Sequence, residues 1–434
     1  MDNGKTIGKK NCQDDKMIRR LKPKSGFSRN VLTLMTGTTI AQAIPIAISP
    51  ILTRLYSPED FGVFALFAAI SSIFASIASG RYELAIMLPK KDEDAINIFA
   101  LGFIISSSIS LILLILVILF NDYFVTLLNN KEIGGWLYLV PIAVFFTGLF
   151  NLLTYFNNRK KYYKSLAKAS VIKSIIAAII QLSIGFLKQG ATGLITGQIV
   201  SQLFANVRLF KNITKDKFLL KVSKLKIIAV AKKYRDFPKF SMPGIMVNVL
   251  MIQLVNILIS FFYSVTTLGF YAFAQRIVGA PSSLIGSAIG SVYFQEATKE
   301  RQSTGCGLLS FRKVLKKLIL LSIVIFSLVY LFIEDAIPYV FGDDWVKTGG
   351  YIKILVPLFI VQFVASPMSL AMTVFERQKL GLYWQLSMFI VALAVIFVSY
   401  YYQFTFETYL HIATICLSLL YLWGLSIFYY VSRG

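Results

Sequence analysis

The chain has 434 residues, 56% of them hydrophobic, with 44 Lys and Arg against 21 Asp and Glu, a formal net charge of +23. That apolar content, with a mean hydropathy of +0.68, excludes a soluble globular domain and makes the bilayer the solvent. The cations fall in loops between apolar stretches, which argues for orientation in a membrane and against nucleic-acid binding; three scattered cysteines and one histidine exclude a disulfide framework and a His-rich metal site.

Residues 1–29 are polar and basic and precede an apolar stretch with no small-residue cleavage signal, so they read as a retained cytoplasmic tail. About 20 apolar residues cross the hydrocarbon. Twelve stretches qualify: 30–55, 61–88, 95–120, 136–157, 165–187, 190–210, 241–264, 270–294, 317–333, 351–375, 381–401 and 409–431. Between the first two lie Tyr56, Ser57 and Pro58, a turn signal, then Glu59 and Asp60 at the start of the next helix. The second half echoes this loop: aligning Tyr263 on Tyr56 also matches Ser264 with Ser57, Gly269 with Gly62 and Ala272 with Ala65.

With the N-terminus placed in the cytoplasm, 36 cations fall on the cytoplasmic side, five on the outer side and three within spans, as the positive-inside rule requires. The longest inner loop, 211–240, then separates two parallel halves of six spans, 30–210 and 241–434. Its segment 219–234 is basic and partly amphipathic, either a helix on the membrane surface or a solvated linker. The outer loops are short, the longest being 334–350 with the polar turn FGDDW, and leave no room for an extramembrane catalytic domain.

Ionisable groups inside spans are costly and mark function by default. Arg81, Lys173 and Arg276 form a crude ladder from the inner to the outer side, and such cations suit an anionic ligand, phosphate above all. Against this, Arg81 can snorkel or pair with Glu83, Lys173 can snorkel, and Arg54 at the outer end of the first span is an anchor as readily as a gate. Glu83 and Asp60 are the candidate acids for ion coupling, with cap and ion-pair roles as the competing reading. Gln198, Gln202 and Asn206 share one helix face; Asn248, Gln253 and Asn256 share a broader one. These amides either bind sugar hydroxyls in a hydrated cavity or hydrogen-bond between spans. Pro45, Pro50 and Pro281 interrupt backbone ladders. There is no P-loop, metal-ligand cluster or Ser/His/Asp arrangement, and the Asp343–Asp344 pair alone makes no catalytic site.

The basic tail followed by NVLTLMTGTTIAQAIPIAISPILTRLYSPEDFGVFALF, and the GRYELAIMLP end of the second span, resemble the Wzx-type polysaccharide flippases of the multidrug/oligosaccharidyl-lipid/polysaccharide exporter superfamily. The resemblance is most specific over 30–91 and extends along the chain by span pattern. It implies an all-α polytopic membrane protein with twelve transmembrane helices in two parallel six-helix lobes around a central cationic cavity. It further implies a bacterial inner-membrane protein, not an enzyme, that moves undecaprenyl-diphosphate-linked oligosaccharide (O-antigen or a related repeat unit) to the periplasmic leaflet by alternating access. Membrane lipids surround it, candidate protein partners are a polysaccharide polymerase and a chain-length regulator, and no cofactor is expected beyond a proton or sodium gradient. Arg54, Arg81, Glu83 and Asp60 lie in the matching motifs; Lys173, Arg276, Asn248, Asn256, Gln198 and Gln202 rest on their chemistry and position. A multidrug exporter, a peptidoglycan-precursor flippase and a polymerase or ligase are the alternatives.

Overall fold

In a computed structural model, residues 26–214 and 222–433 are described; the basic tail up to residue 25 and positions 215–221 of the loop, with Leu219 and Leu220, lie outside them. Among the described residues every regular element is helical. The first apolar stretch is two helices, α1 (Gly26–Ala47) and α2 (Ser49–Leu55), broken at Ile48, with Pro50 in the first turn of α2. Proline is tolerated there because the first turn has no intrahelical acceptor for its missing N–H. Helix α3 (Pro58–Ala75) starts on a capping box: the Ser57 hydroxyl accepts from the Asp60 N–H, and the Asp60 carboxylate accepts from the Ser57 N–H at 2.9 Å.

The second stretch does not run on to residue 88. Helix α3 stops at Ala75, the chain turns through Gly80 and Arg81, both at positive φ, and helix resumes for one turn in α4 (Tyr82–Ala85). Helix α5 (Asp92–Leu127) is kinked at Phe120 (φ −124°, ψ 21°); residues 92–119 alone run about 42 Å at 1.5 Å per residue. It therefore projects well beyond a hydrocarbon core of about 30 Å. The short α6 (Ile133–Leu137) leads into α7 (Val140–Arg159), followed by α8 (Tyr163–Gly185) and α9 (Thr192–Ile213).

The loop contains α10 (Lys224–Lys233), which docks on the start of α5: the Ser223 N–H donates to Asn97 Oδ1 at 2.9 Å and the Tyr82 hydroxyl donates to the Ala231 carbonyl at 3.2 Å. The second half comprises α11 (Met242–Phe262), α12 (Val265–Thr304), α13 (Leu308–Phe341), α14 (Val346–Met368), α15 (Ala371–Val374), α16 (Gln378–Tyr401) and α17 (Phe406–Val431). Helix α12 bends by 46° between Ala280 and Ile285, the site of Pro281.

Among the described residues nine helices, or ten with the bent α12, are long and apolar enough to cross a membrane. The α1/α2 pair and α9 fall below that apolarity. In α9 the reason is Gln198, Gln202, Asn206, Arg208 and Lys211. The chain is a multi-pass membrane protein, built from helices alone among the described residues.

Helices before α10 pack chiefly on one another (α1 on α8, α8 on α9, α7 on α5 and α9), and those after it do the same (α13 on α14, α14 on α12 and α17, α16 on α17). The two groups meet where α3 packs on α11 and α12 and where α2 reaches α13. This seam is sealed at the Pro58 end by an aromatic cluster. Trp345, fully buried, has its ring 5.0 Å from Phe61, 4.6 Å from Phe273 and 6.0 Å from Phe270, and its indole N–H donates to the Thr53 carbonyl at 2.9 Å.

Candidate functional site

A cavity of about 400 Å³ opens on the first-half side of α11. Helix α3 contributes Ser71, Ser72 and Ser76; α7 contributes Thr147 and Asn151; α8 contributes Lys173; α9 contributes Gln198 and Gln202; and α11 closes it with Val249, Ile252 and Gln253. The spacing places these groups together. Gln198 and Gln202 are one helical turn apart on α9, and Ser72 and Ser76 one turn apart on α3, so each pair shares a face.

Lys173 is the cationic lining residue. Its ammonium lies 5.2 Å from the centre of the Phe150 ring. No carboxylate among the described residues pairs with it. A lysine at the centre of a spanning helix costs roughly 2.5–3.5 kcal/mol on insertion scales, so it is retained where it has work to do or water to reach. Two neighbours point the same way: Ser71 Oγ and Gln202 Nε2 are buried without a hydrogen-bond partner. Buried polar groups in folded proteins are almost always paired, so these atoms and the ammonium together define unmet hydrogen-bonding capacity aimed at a ligand or water. The hydroxyls of Ser72 and Ser76 are already engaged with backbone carbonyls of their own helix, at 2.6 Å each.

The other sequence-selected residues lie elsewhere. Asn206 continues the Gln198 face but donates to the Phe146 carbonyl at 2.9 Å, tying α9 to α7. Arg81 sits at the α3–α4 turn, paired with Glu83 at 3.1 Å, and the buried Glu83 also accepts from the Ser79 hydroxyl. Arg276 donates to the Pro45 carbonyl at 2.8 Å. Pro45 lies in the last turn of α1, where carbonyls lack intrahelical donors, so Arg276 caps the negative end of that helix across the seam. Arg54, in the last turn of α2, donates to the Tyr339 carbonyl of α13 at 3.2 Å. Asp60 is the capping partner of Ser57. The depth ladder of cations is thus not one array: Lys173 faces the cavity, Arg81 is held by a carboxylate, and Arg276 and Arg54 reach across the seam to carbonyls. Asn248 and Asn256 line a second cavity on the opposite side of α11.

Ser71, Thr147 and Asn151 were not singled out from sequence. The available signal was their clustering on α3 and α7 in otherwise apolar spans, but Ser and Thr in such spans commonly bond to their own backbone. Among the described residues no cluster of His, Cys, Asp and Glu could hold a metal ion.

Two helical halves meeting along a seam give a fold like that of solved MOP-superfamily transporters. The chain superposes on an inward closed conformation of the lipid II flippase MurJ with a TM-score of 0.68 at 15% identity, covering 94% of this chain and 87% of that one. It superposes on the MATE multidrug transporter DinF-BH with a TM-score of 0.65 at 14% identity over 96% and 98% of the two chains. The chain belongs to the polysaccharide biosynthesis protein family, whose model matches residues 51–349. The succinoglycan biosynthesis transport protein ExoT of Rhizobium meliloti (strain 1021) is 23% identical over 327 residues, 73% of this chain; the match spans 63% of that relative's length.

Proposed function

We propose that this protein carries a lipid-linked oligosaccharide, with a diphosphate between lipid and sugar, across the bacterial inner membrane. The cargo is an O-antigen or related surface-polysaccharide repeat unit on an undecaprenyl carrier. The observation that carries this reading is Lys173, a cation without a carboxylate, beside the unpartnered Ser71 Oγ and Gln202 Nε2 in one cavity. An ammonium with nearby neutral donors suits phosphate oxygens, as charge-assisted hydrogen bonds form there at little competing cost. Membership of a polysaccharide biosynthesis family supports it, as do the names of a succinoglycan transport protein and a lipid II flippase among the similar chains.

In this reading, supported by the cation count, the Lys91 end and both termini lie in the cytoplasm and the Pro58 end lies outside. The halves rock about the α3–α11–α12 seam. Arg54 and Arg276 hold the outer end shut, and a proton or sodium gradient acts through the buried Glu83. Asp60, which caps α3 through the Ser57 N–H, is the weaker candidate for that role. A polymerase and a chain-length regulator receive the cargo, and the protein is not an enzyme. A multidrug exporter of the same fold is the weaker reading, because no Asp or Glu lines the Lys173 cavity to receive a cationic drug.

The test is Lys173→Ala and Lys173→Arg in a strain lacking its flippase, read as surface polysaccharide, with farnesyl diphosphate binding to the purified protein. Lys173→Ala loses surface polysaccharide and about tenfold in affinity, the scale of one charge-assisted bond, and Lys173→Arg keeps both. Normal polysaccharide from membrane-inserted Lys173→Ala sinks the proposal.

A further inference from the structure

The cavity on the far side of α11 has different chemistry. It encloses about 360 Å³ between α11, α12, α14, α16 and α17, and no Lys, Arg, Asp, Glu or His lines it. Its wall is largely aliphatic, and set into that wall are aromatic rings, Trp384, Tyr271, Tyr409 and Tyr421, and amides, Asn248, Asn256, Gln275 and Gln385. Two of the amides are weakly engaged: Asn248 reaches Gln385 Oε1 only at 3.4 Å, whereas Gln275 donates to the Tyr271 hydroxyl at 2.5 Å and Asn256 to Gln253 at 3.1 Å. Thr414 Oγ, in a residue 4% exposed, lines the same space with no partner. The Trp384 indole N–H donates to the Leu420 carbonyl at 3.0 Å and the ring packs edge-on to Tyr421 at 5.6 Å, which fixes both aromatic planes.

We infer that this cavity is a subsite for an uncharged sugar of the transported glycan. The inference rests on the lipid-linked oligosaccharide reading and deepens it. A pyranose ring presents an apolar C–H face and a rim of hydroxyls that both donate and accept. Rigid aromatic planes match the first, and amide and hydroxyl side chains, which also donate and accept, match the second. The missing charge rules against a diphosphate here, where its desolvation would have no compensation. A lipophilic cation would find aromatic faces but would leave Thr414 and the loosely paired Asn248 and Gln385 facing a group that cannot bond to them.

The two cavities adjoin across α11. Ile252 lines both, and Asn256 of the second donates to Gln253 of the first at 3.1 Å. A ligand with a diphosphate at Lys173 and its sugars beyond α11 therefore touches both halves.

The test measures binding to the purified full chain in nanodiscs. The probes are methyl glycosides of a hexose, a 6-deoxyhexose and an N-acetylhexosamine, followed by saturation-transfer NMR, with farnesyl diphosphate and a rhodamine dye, a lipophilic cation, measured separately. At least one glycoside binds the wild type. Thr414→Val, which keeps the side-chain shape and removes the hydroxyl, weakens that glycoside about fivefold, the scale of one neutral hydrogen bond. Gln385→Leu does the same, and neither variant changes farnesyl diphosphate binding. Failure of every glycoside to bind, equal binding by both variants and the wild type, or displacement of the glycoside by the rhodamine dye overturns the subsite. Loss of farnesyl diphosphate binding in Lys173→Ala reports on the diphosphate reading separately, so the two can fail apart.

Discussion

Gly62 and Gly269 meet backbone to backbone where α3 crosses α12: a Cβ on Gly269 would stand 2.9 Å from the Gly62 amide nitrogen. A Cβ on Gly62 would run into the Val265 carbonyl, and one on Gly269 into the Pro58 carbonyl. Val265 follows the cap Ser264 as Pro58 follows the cap Ser57, so the two contacts are one contact with the halves exchanged. The tyrosines of the echo behave alike. Tyr56 packs against Gly185 and Gly193 of α8 and α9 and donates to the Gln181 carbonyl at 2.6 Å, whereas Tyr263 packs 5.2 Å from Phe406 and 5.9 Å from Tyr409 of α17. Each thus anchors its loop to the last helices of its own half.

Small residues let spanning helices approach closely, and here they set the closest approach of the two halves. Gly62→Ala and Gly269→Ala each force backbone apart. Each variant loses about 1–3 kcal/mol, the range for overpacking. Thermal unfolding in detergent measures the loss, and the double variant loses less than the sum because both changes act on one crossing. Additive losses would show that the crossing is not a single contact.

Trp345 is the outer plug. Truncating a buried tryptophan costs about 3–5 kcal/mol, so Trp345→Ala lowers the melting temperature and loosens the Pro58 end. Trp345→Phe keeps most of the ring packing with Phe61 and Phe273 but strands the Thr53 carbonyl. That variant remains folded and reacts faster with a membrane-impermeant maleimide at a cysteine placed at Ser57, an exposed position. Unchanged labelling would mean that the indole hydrogen bond does not hold the seam.

The multi-pass helical character, the Tyr56/Tyr263 echo and the candidacy of Lys173 could be read from residue type and spacing, because hydropathy and periodicity are local properties; of the twelve apolar stretches, nine or ten helices among the described residues are long and apolar enough to span. What escaped the sequence is long-range or made by backbone. FGDDW reads as a polar turn, yet its tryptophan is buried among phenylalanines from α3 and α12. Arg276 and Arg54 look like free cations because their partners are carbonyls, which no side-chain pattern announces. Trp384, Tyr409 and Tyr421 look like lipid-facing or interfacial aromatics until the helices of the second half place them around one space.

Arg276 separates a helix cap from a ligand contact. Arg276→Lys keeps a positive charge near the end of α1 but loses the planar fork, and Arg276→Met loses the charge. If the cap is the role, Arg276→Lys retains most stability and most surface polysaccharide, and Arg276→Met loses about 1–2 kcal/mol while farnesyl diphosphate binding stays unchanged. A binding defect without a stability defect would return Arg276 to the substrate path.

Glu132, in the loop before α6, is pushed up from the usual carboxylate range by partial burial and by the neighbouring Glu59 and Asp60 charges. The folded protein therefore holds this proton to higher pH than the unfolded chain does, so stability falls as pH rises through the usual Glu range toward the raised value. Glu132→Gln is more stable than the wild type at neutral pH, and the difference vanishes below about pH 4, where the carboxyl is protonated in both states. The residue is exposed, so the gain is small and shrinks with added salt. Melting curves at acid and neutral pH decide it.

Arg81 and Glu83 form a unit at the other end of α3. Arg81 holds a left-handed conformation, φ 63°, directly after Gly80 at φ 60°, and its Nε is buried without a partner. Glu83 is 2% exposed and takes bonds from Arg81 and Ser79. Removing one partner of a buried pair strands the other charge, at about 3–5 kcal/mol. Glu83→Gln therefore destabilises strongly, and the double variant Arg81→Met with Glu83→Gln recovers a large part of the loss. Arg81→Gly relieves the left-handed strain yet strands Glu83, so it also destabilises. If Glu83 carries the coupling ion, the double variant is folded but transports without response to a collapsed proton or sodium gradient; transport that still follows the gradient removes Glu83 from that role.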